Sequence, residues 1–169
     1  AAAARSGDAA AIAAADCTGT FSQTERTYAY GTNIAHVAVD PETAQVEVLR
    51  FLAVDDVGRA VNPLILHGQI VGAAVQGIGG TFHDELVYDR AGQLLTGTLA
   101  DYLVPTATEF PNVEAISLEA VPSALNPLGV RGAGEGGIIA TGAAIANAVA
   151  HALAPLGVSI TDLPLAPDD

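Results

Sequence analysis

An α+β fold is what this sequence predicts, and three features predict it. Alternating apolar residues run into and out of the turn Asp40-Pro41-Glu42-Thr43-Ala44, as in a β-hairpin. The pair Asn62-Pro63 opens a stretch with apolar residues at every fourth position. A glycine-rich loop at 131–137 leads into a second, alanine-rich helical stretch. Together these predict β-hairpins and a mixed sheet packed with two main helices.

Residues 1–16 read as an alanine-rich helix, with Arg5 and Asp8 as isolated polar breaks. The polar stretch CTGTFSQTERTYAYGTN then leads into extended chain. Ile34, Val37 and Val39 form the first arm of a hairpin over 33–54, and the β-rich run from Gln45 to Leu52 forms the second. Pro41 presets φ in the turn between them, and Asp40 can bond its backbone. Asp55-Asp56-Val57-Gly58 reads as another turn.

Asn62 as N-cap with Pro63 at the first helical position starts a helix that extends to about residue 78. Leu66, Ile70, Ala74 and Ile78 form its apolar stripe. Gly68, Gly72 and Gly77 each cost about 1 kcal/mol against Ala in a helix interior, which implies close contact on that side. Short strands are expected around 85–88 and 93–99, joined by Asp89-Arg90-Ala91-Gly92. Residues 100–112, with Pro105 and Pro111, are irregular, and Val113 to Glu119 alternates as an exposed strand does. The last helix runs from about 137 to 153 and ends at Pro155 and Gly157, leaving the tail SITDLPLAPDD as an arm laid over another surface.

Half of the 169 residues are hydrophobic, enough for a real core, and no apolar run approaches the roughly 18 residues of a membrane span. A formal charge of −13 with six scattered basic residues argues against nucleic-acid or anionic-membrane partners. The single Cys17 excludes an internal disulfide framework and a Cys-ligated iron–sulfur cluster. His36, His67, His83 and His151 lie too far apart for a zinc motif, so no metal ligands are assigned. The start, without Met or a secretion signal, reads as mid-domain sequence and a partial chain, with the cytoplasm as default location.

The loop Arg131-Gly132-Ala133-Gly134-Glu135-Gly136-Gly137 carries the most chemistry. Its glycines admit close backbone approach to a ligand, and the following helix start favours an anion there. Gly132-x-Gly134-x-x-Gly137 satisfies a dinucleotide-binding GxGxxG, which keeps a dinucleotide-binding domain as one alternative. That reading lacks an apolar strand before the loop and an acidic residue about 20 positions later. The single carboxylate in the loop, Glu135, is a candidate base or a dipole-stabilised helix residue.

The hairpin HVAVDPETAQVEVLRF, the block DDVGRAVNPLILHGQIVGAAVQGIGG, LADYLVP, and PLGVRGAGEGG followed by IANAVAHAL occur in one order. In that order they resemble the C-terminal third of the molybdenum-binding large subunits of the xanthine dehydrogenase/aldehyde oxidase/carbon monoxide dehydrogenase family. The similarity runs from about Tyr28 onward. The resemblance implies that residues 1–169 form a single lobe of the molybdopterin-binding domain, with 1–27 as an N-terminal arm.

For Glu135 the resemblance implies the catalytic base of a hydroxylation that draws its oxygen from water. For Gln69 it implies contact with the pterin cofactor, which the backbone of Arg131, Gly132, Ala133 and Gly134 would also line. Arg131 stands where many relatives carry Lys, and either charge steadies an anionic cofactor. The implied cofactor is molybdopterin, in its plain or cytosine dinucleotide form, with 2Fe-2S clusters and FAD on partner subunits. The implied partners are the N-terminal remainder of the large subunit, the iron–sulfur and FAD subunits, and a small-molecule substrate: an aldehyde, an N-heterocycle or carbon monoxide. Ala44 departs from the pattern, because relatives usually have Gly there and a positive φ would strain Ala. A degenerate lobe kept for assembly is the remaining alternative.

Overall fold

The computed structural model describes residues 8–15 and 18–167. Cys17 and half of the predicted 1–16 helix lie outside the described residues, but Ala9–Ala15 is helical (α1). Asp8 starts that helix, its side chain accepting from the Ala10 N–H at 2.9 Å.

The predicted hairpin is present and longer than its sequence pattern shows. Strand β1 spans Tyr30–Val39 and β2 spans Val46–Asp56, paired antiparallel. Asp40 closes the turn by accepting from the Glu42 N–H at 2.9 Å, and its own N–H reaches the Gln45 carbonyl at 2.9 Å. Ala44 sits at φ 56°, the left-handed region in which a Cβ crowds the backbone. Asp55 and Asp56, expected in a turn, belong to β2 and are buried. β3 (Val113–Leu118) pairs parallel with β2, so the sheet is mixed, with order β1-β2-β3.

Between β2 and β3 runs α2 (Pro63–Phe82), four residues longer than predicted. Asn62 caps it, accepting from the Ile65 N–H at 3.2 Å, and Pro63 fills the first position. All four stripe residues, Leu66, Ile70, Ala74 and Ile78, are buried. They meet Phe51, Ala53 and Val57 from the sheet side and Ile145 and Val149 from the last helix. Each large side chain buried there stabilises the fold by about 1.5–3 kcal/mol.

Of the α2 glycines expected to need close contact, Gly77 does. A Cβ there would lie 2.5 Å from the Thr141 Cβ. Gly68 and Gly72 meet nothing within 4 Å, so their side of the helix is open in this chain. The strands expected at 85–88 and 93–99 reduce to one bridge, Tyr88 to Leu94, around the Asp89 turn. The predicted last helix is broken at Ala140 into α3 (Gly136–Ile139) and α4 (Thr141–Leu153), followed by a 3₁₀ turn at Ala154–Leu156.

Contrary to the sequence reading, Gly136–Leu156 is long and apolar enough to cross a membrane by length and composition, with hydropathy 1.5. Here it is broken at Ala140, and Thr141, Ile145 and Val149 are seated in the core against the sheet and α2. The C-terminal tail lies over the α2–α4 junction. The Leu165 N–H bonds the Thr81 carbonyl at 2.7 Å, and Leu163 covers Gly142.

Candidate functional site

The loop 131–137 is held from three directions. At its start, the Arg131 N–H bonds the Val57 carbonyl at 2.8 Å, and Val130 forms a bridge with Gly58. At its end, Asn33 of β1 donates through Nδ2 to the Gly137 carbonyl at 3.2 Å. Gly137 also presses on α2, where a Cβ would stand 2.7 Å from the Ile70 carbonyl oxygen and 2.9 Å from the Ala73 Cβ. That contact sets the loop beside the helix position that follows Gln69.

Glu135 is exposed and occupies the N-cap position of α3, but its side chain makes no capping hydrogen bond. Gln69 is exposed on α2, and its amide has no hydrogen-bond partner among the described residues. Gly132 and Gly134 are exposed, with nothing within 4 Å of an added Cβ. Ala133 is partly buried and packs against the core. The loop therefore presents open backbone beside a solvent-facing carboxylate, next to the helix that carries Gln69. None of the glycines at 132, 134, 136 and 137 has a positive φ; those that do include Gly129, just upstream.

The Arg131 side chain is turned inward. It is 12% exposed, and its guanidinium stacks 5.1 Å from the centroid of the Tyr30 ring and stands 3.6 Å from Asp56. That distance makes an ion pair and leaves Nη1 buried without a hydrogen-bond partner. Asp56 is well supplied with donors: the N–H groups of Gly58 at 2.9 Å and of Ala120 and Val121 at 3.1 Å, and the Tyr30 hydroxyl at 3.3 Å. The Gly58 N–H foremost, with the other donors, holds the Asp56 carboxyl below the ordinary carboxylate range.

Its neighbour Asp55 is the opposite case. Asp55 is 3% exposed, its Oδ2 is buried without a partner, and burial pushes its carboxyl up. Neither acidic residue was singled out as functional in the sequence, where a pair of aspartates before Val-Gly reads as a turn. A mostly apolar cleft of about 520 Å³, walled by Phe21, Pro127 and Leu128, adjoins Arg131 and Gly132.

The dinucleotide-binding alternative finds no support. Residue 130 makes a single bridge rather than a strand leading into the loop, and the helix that follows has four residues. Among the described residues, no group of three or more His, Cys, Asp or Glu side chains is placed to hold a metal ion.

The family model described as "Molybdopterin cofactor-binding domain" matches residues 3–111, a span that includes Gln69 and ends before the 131–137 loop. The 6-hydroxypseudooxynicotine dehydrogenase complex subunit gamma of Paenarthrobacter nicotinovorans is 46% identical over 141 residues, covering 83% of this chain and 18% of that protein. The nicotine 6-hydroxylase large subunit of the same organism is 42% identical over 132 residues, 78% of this chain and 16% of that protein. Among solved structures, quinoline 2-oxidoreductase from Pseudomonas putida 86 superimposes with a TM-score of 0.77 at 43% identity, covering 82% of this chain and 17% of that one. The chain thus spans less than a fifth of the length of these relatives, a smaller share than the third expected from sequence.

Proposed function

The chain belongs to the molybdopterin cofactor-binding domain family, and from that premise we propose that it forms one wall of a molybdenum hydroxylase site, with Glu135 as the base. The observation that carries this reading is the packing of Gly137 on Ile70, which brings the Glu135 loop against the helix bearing Gln69. Two segments separated in sequence thereby offer one solvent-facing carboxylate and one carboxamide without a protein partner.

The residues present fit a pterin cofactor. Gln69 has two N–H donors and a carbonyl acceptor, the complement of the mixed donors and acceptors on a pterin edge. The backbone from 131 to 134 lines the adjoining space, and the open positions at Gly132 and Gly134 allow a flat ligand to lie close to it. The Arg131 charge is engaged with Asp56, so this residue contributes chiefly its backbone and the rigidity of its anchor. When bound, the molybdenum cofactor would supply two-electron oxidation and activation of water. Glu135 would take the proton that the activated water gives up, which requires its carboxylate within hydrogen-bond reach of that proton.

On this reading residues 1–169 are a single C-terminal lobe with 1–27 as an arm, and the rest of the site comes from the remainder of the large subunit. Electrons leave through 2Fe-2S clusters and FAD on partner subunits, in an assembly that works in the cytoplasm. The cofactor is molybdopterin, and its cytosine dinucleotide form is part of the proposal. Of the aldehyde, N-heterocycle and carbon monoxide classes, the N-heterocycle is favoured, because nicotine and quinoline in the relatives' names are N-heteroaromatic.

The test is Glu135→Gln in the assembled enzyme, with molybdenum content and turnover of N-heteroaromatic substrates measured together. The isosteric amide keeps the shape and removes the base, so turnover should fall about a hundredfold at unchanged metal content. Undiminished turnover, or an assembly that carries no molybdenum, overturns the reading.

A further inference from the structure

Asp55 is an acceptor without a donor. It is 3% exposed, and no hydrogen bond to its side chain is made among the described residues, although its Oδ2 is fully enclosed. The fold makes room for it. Gly31 is its partner on β1, and a Cβ at that position would lie 2.1 Å from Asp55 Oδ1. On its other side the same oxygen abuts the Glu135 turn, since a Cβ on Gly136 would meet it at 3.4 Å.

The turn above has the complementary lack. Glu135 occupies the N-cap position without a side-chain capping bond, and the first turn of α3 holds no acidic residue. The N–H groups of Gly136 and Gly137 open that helix, where no intrahelical acceptor exists for them. Gly137 is already pinned through Asn33 and Ile70. Gly136 lies beside Asp55, whose Oδ1 and Oδ2 would stand 3.4 and 3.6 Å from a Cβ there.

We propose that Asp55 is a positioning residue for Glu135: its buried carboxyl is the acceptor onto which the Gly136 and Gly137 N–H groups close when cofactor seats against the loop. This rests on the hydroxylase reading and deepens it. A carboxyl from the sheet, rather than from the loop itself, then fixes the base. The loop tightens over Asp55 only in the loaded protein, which is why the acceptor stands unused in the chain alone. Burial that pushes the Asp55 carboxyl up is relieved by the same two donors.

The experiment is amide hydrogen exchange over residues 135–138 in the assembled enzyme, loaded and cofactor-free, in wild type, Asp55→Leu and Asp55→Asn. Loading should slow exchange there by about tenfold in wild type. Asp55→Leu should abolish that gain and lower kcat at least about tenfold with KM nearly held, because the base is misplaced rather than removed. Asp55→Asn keeps an acceptor oxygen and should recover most of both losses. Protection in Asp55→Leu equal to wild type overturns the proposal, as does Asp55→Asn failing as badly as Asp55→Leu. If Asp55→Leu does not fold, wild-type exchange unchanged by loading overturns it equally. Molybdenum and pterin are assayed in the same samples. Their absence from the wild-type assembly defeats the hydroxylase reading itself, whereas their presence without any dependence on Asp55 defeats this proposal alone.

Discussion

Gly137 and Ile70 meet with no space for a side chain between them: a Cβ on the glycine would stand 2.7 Å from the isoleucine carbonyl oxygen. The contact is backbone against backbone, so neither partner can yield by rotating a side chain. It couples the placement of Glu135 to the placement of Gln69.

Gly137→Ala should therefore cost about 1–3 kcal/mol, as overpacking of a close contact does, and should lower turnover in the assembled enzyme. Gly134→Ala is the control, because an added Cβ meets nothing within 4 Å. Its unfolding free energy should stay within about 0.5 kcal/mol of wild type. Equal stability losses in the two variants would show that the Gly137 contact is not what holds the loop.

Asp56 ties Tyr30, Gly58, Ala120, Val121 and Arg131 to one buried carboxylate. Its folded-state pKa lies below the ordinary value, so the stability it contributes is complete above that ordinary value. It is lost as pH falls through the folded-state value. Asp56→Asn should lower the thermal midpoint at neutral pH and flatten the acid limb of the stability profile. Glu114→Ala, which breaks the exposed Arg50–Glu114 bridge, should leave the midpoint unmoved.

Asp55 has the reverse sign. Its folded-state pKa lies above the ordinary value, so the folded chain binds more protons between the two. Stability is full below the ordinary value and declines as pH rises through the raised one. Asp55→Leu removes the unpaired buried carboxyl and should stabilise this chain by about 1 kcal/mol at neutral pH. Denaturant titrations at acid and neutral pH read both the gain and the loss of pH dependence. A variant more stable yet slower in turnover would mark Asp55 as a residue kept for function.

Ala44 at φ 56° is the plainest strain in the described chain. Glycine has no Cβ to crowd the backbone there, so Ala44→Gly should stabilise the hairpin by about 1 kcal/mol. Chemical denaturation would reveal it as a higher midpoint at unchanged slope. A lower midpoint would mean that the flexibility glycine adds to the unfolded chain outweighs the strain.

Much of this was legible before folding, and the part that was not has a physical reason. Leu66, Ile70, Ala74 and Ile78 could be read because a helix repeats its buried face every three to four residues. Asn62 could be read because capping is local, the donor lying three residues away. Asp56 could not be recognised as buried, because two of its donors arrive from Ala120 and Val121, 64 and 65 residues onward. Asp55 and Asp56 look like a solvent turn when local polarity is the only guide. Arg131 looked free to meet an anion, and only the folded chain shows its guanidinium facing Asp56 beneath Tyr30. The glycines of α2 drew one inference from sequence and divide in the structure, since only contact partners separate Gly77 from Gly68 and Gly72.

That division gives the sharpest test of incompleteness. Gly72 is exposed, with nothing within 4 Å of an added Cβ, on the helix that also carries exposed Gln69. In this chain by itself, Gly72→Ala should raise stability by about 1 kcal/mol, the helix-propensity difference alone. Gly77→Ala should lower it, because its Cβ would lie 2.5 Å from that of Thr141. If the rest of a large subunit packs closely on the open side of α2, the Gly72 variant reverses sign in the assembly: the isolated chain gains while the complex dissociates more readily. Thermal melts of the chain and native mass spectrometry of the complex read the two arms. A Gly72→Ala variant that stabilises both would mean that this side of α2 faces solvent even in the whole enzyme. Its glycines would then need another account than a close-packed partner.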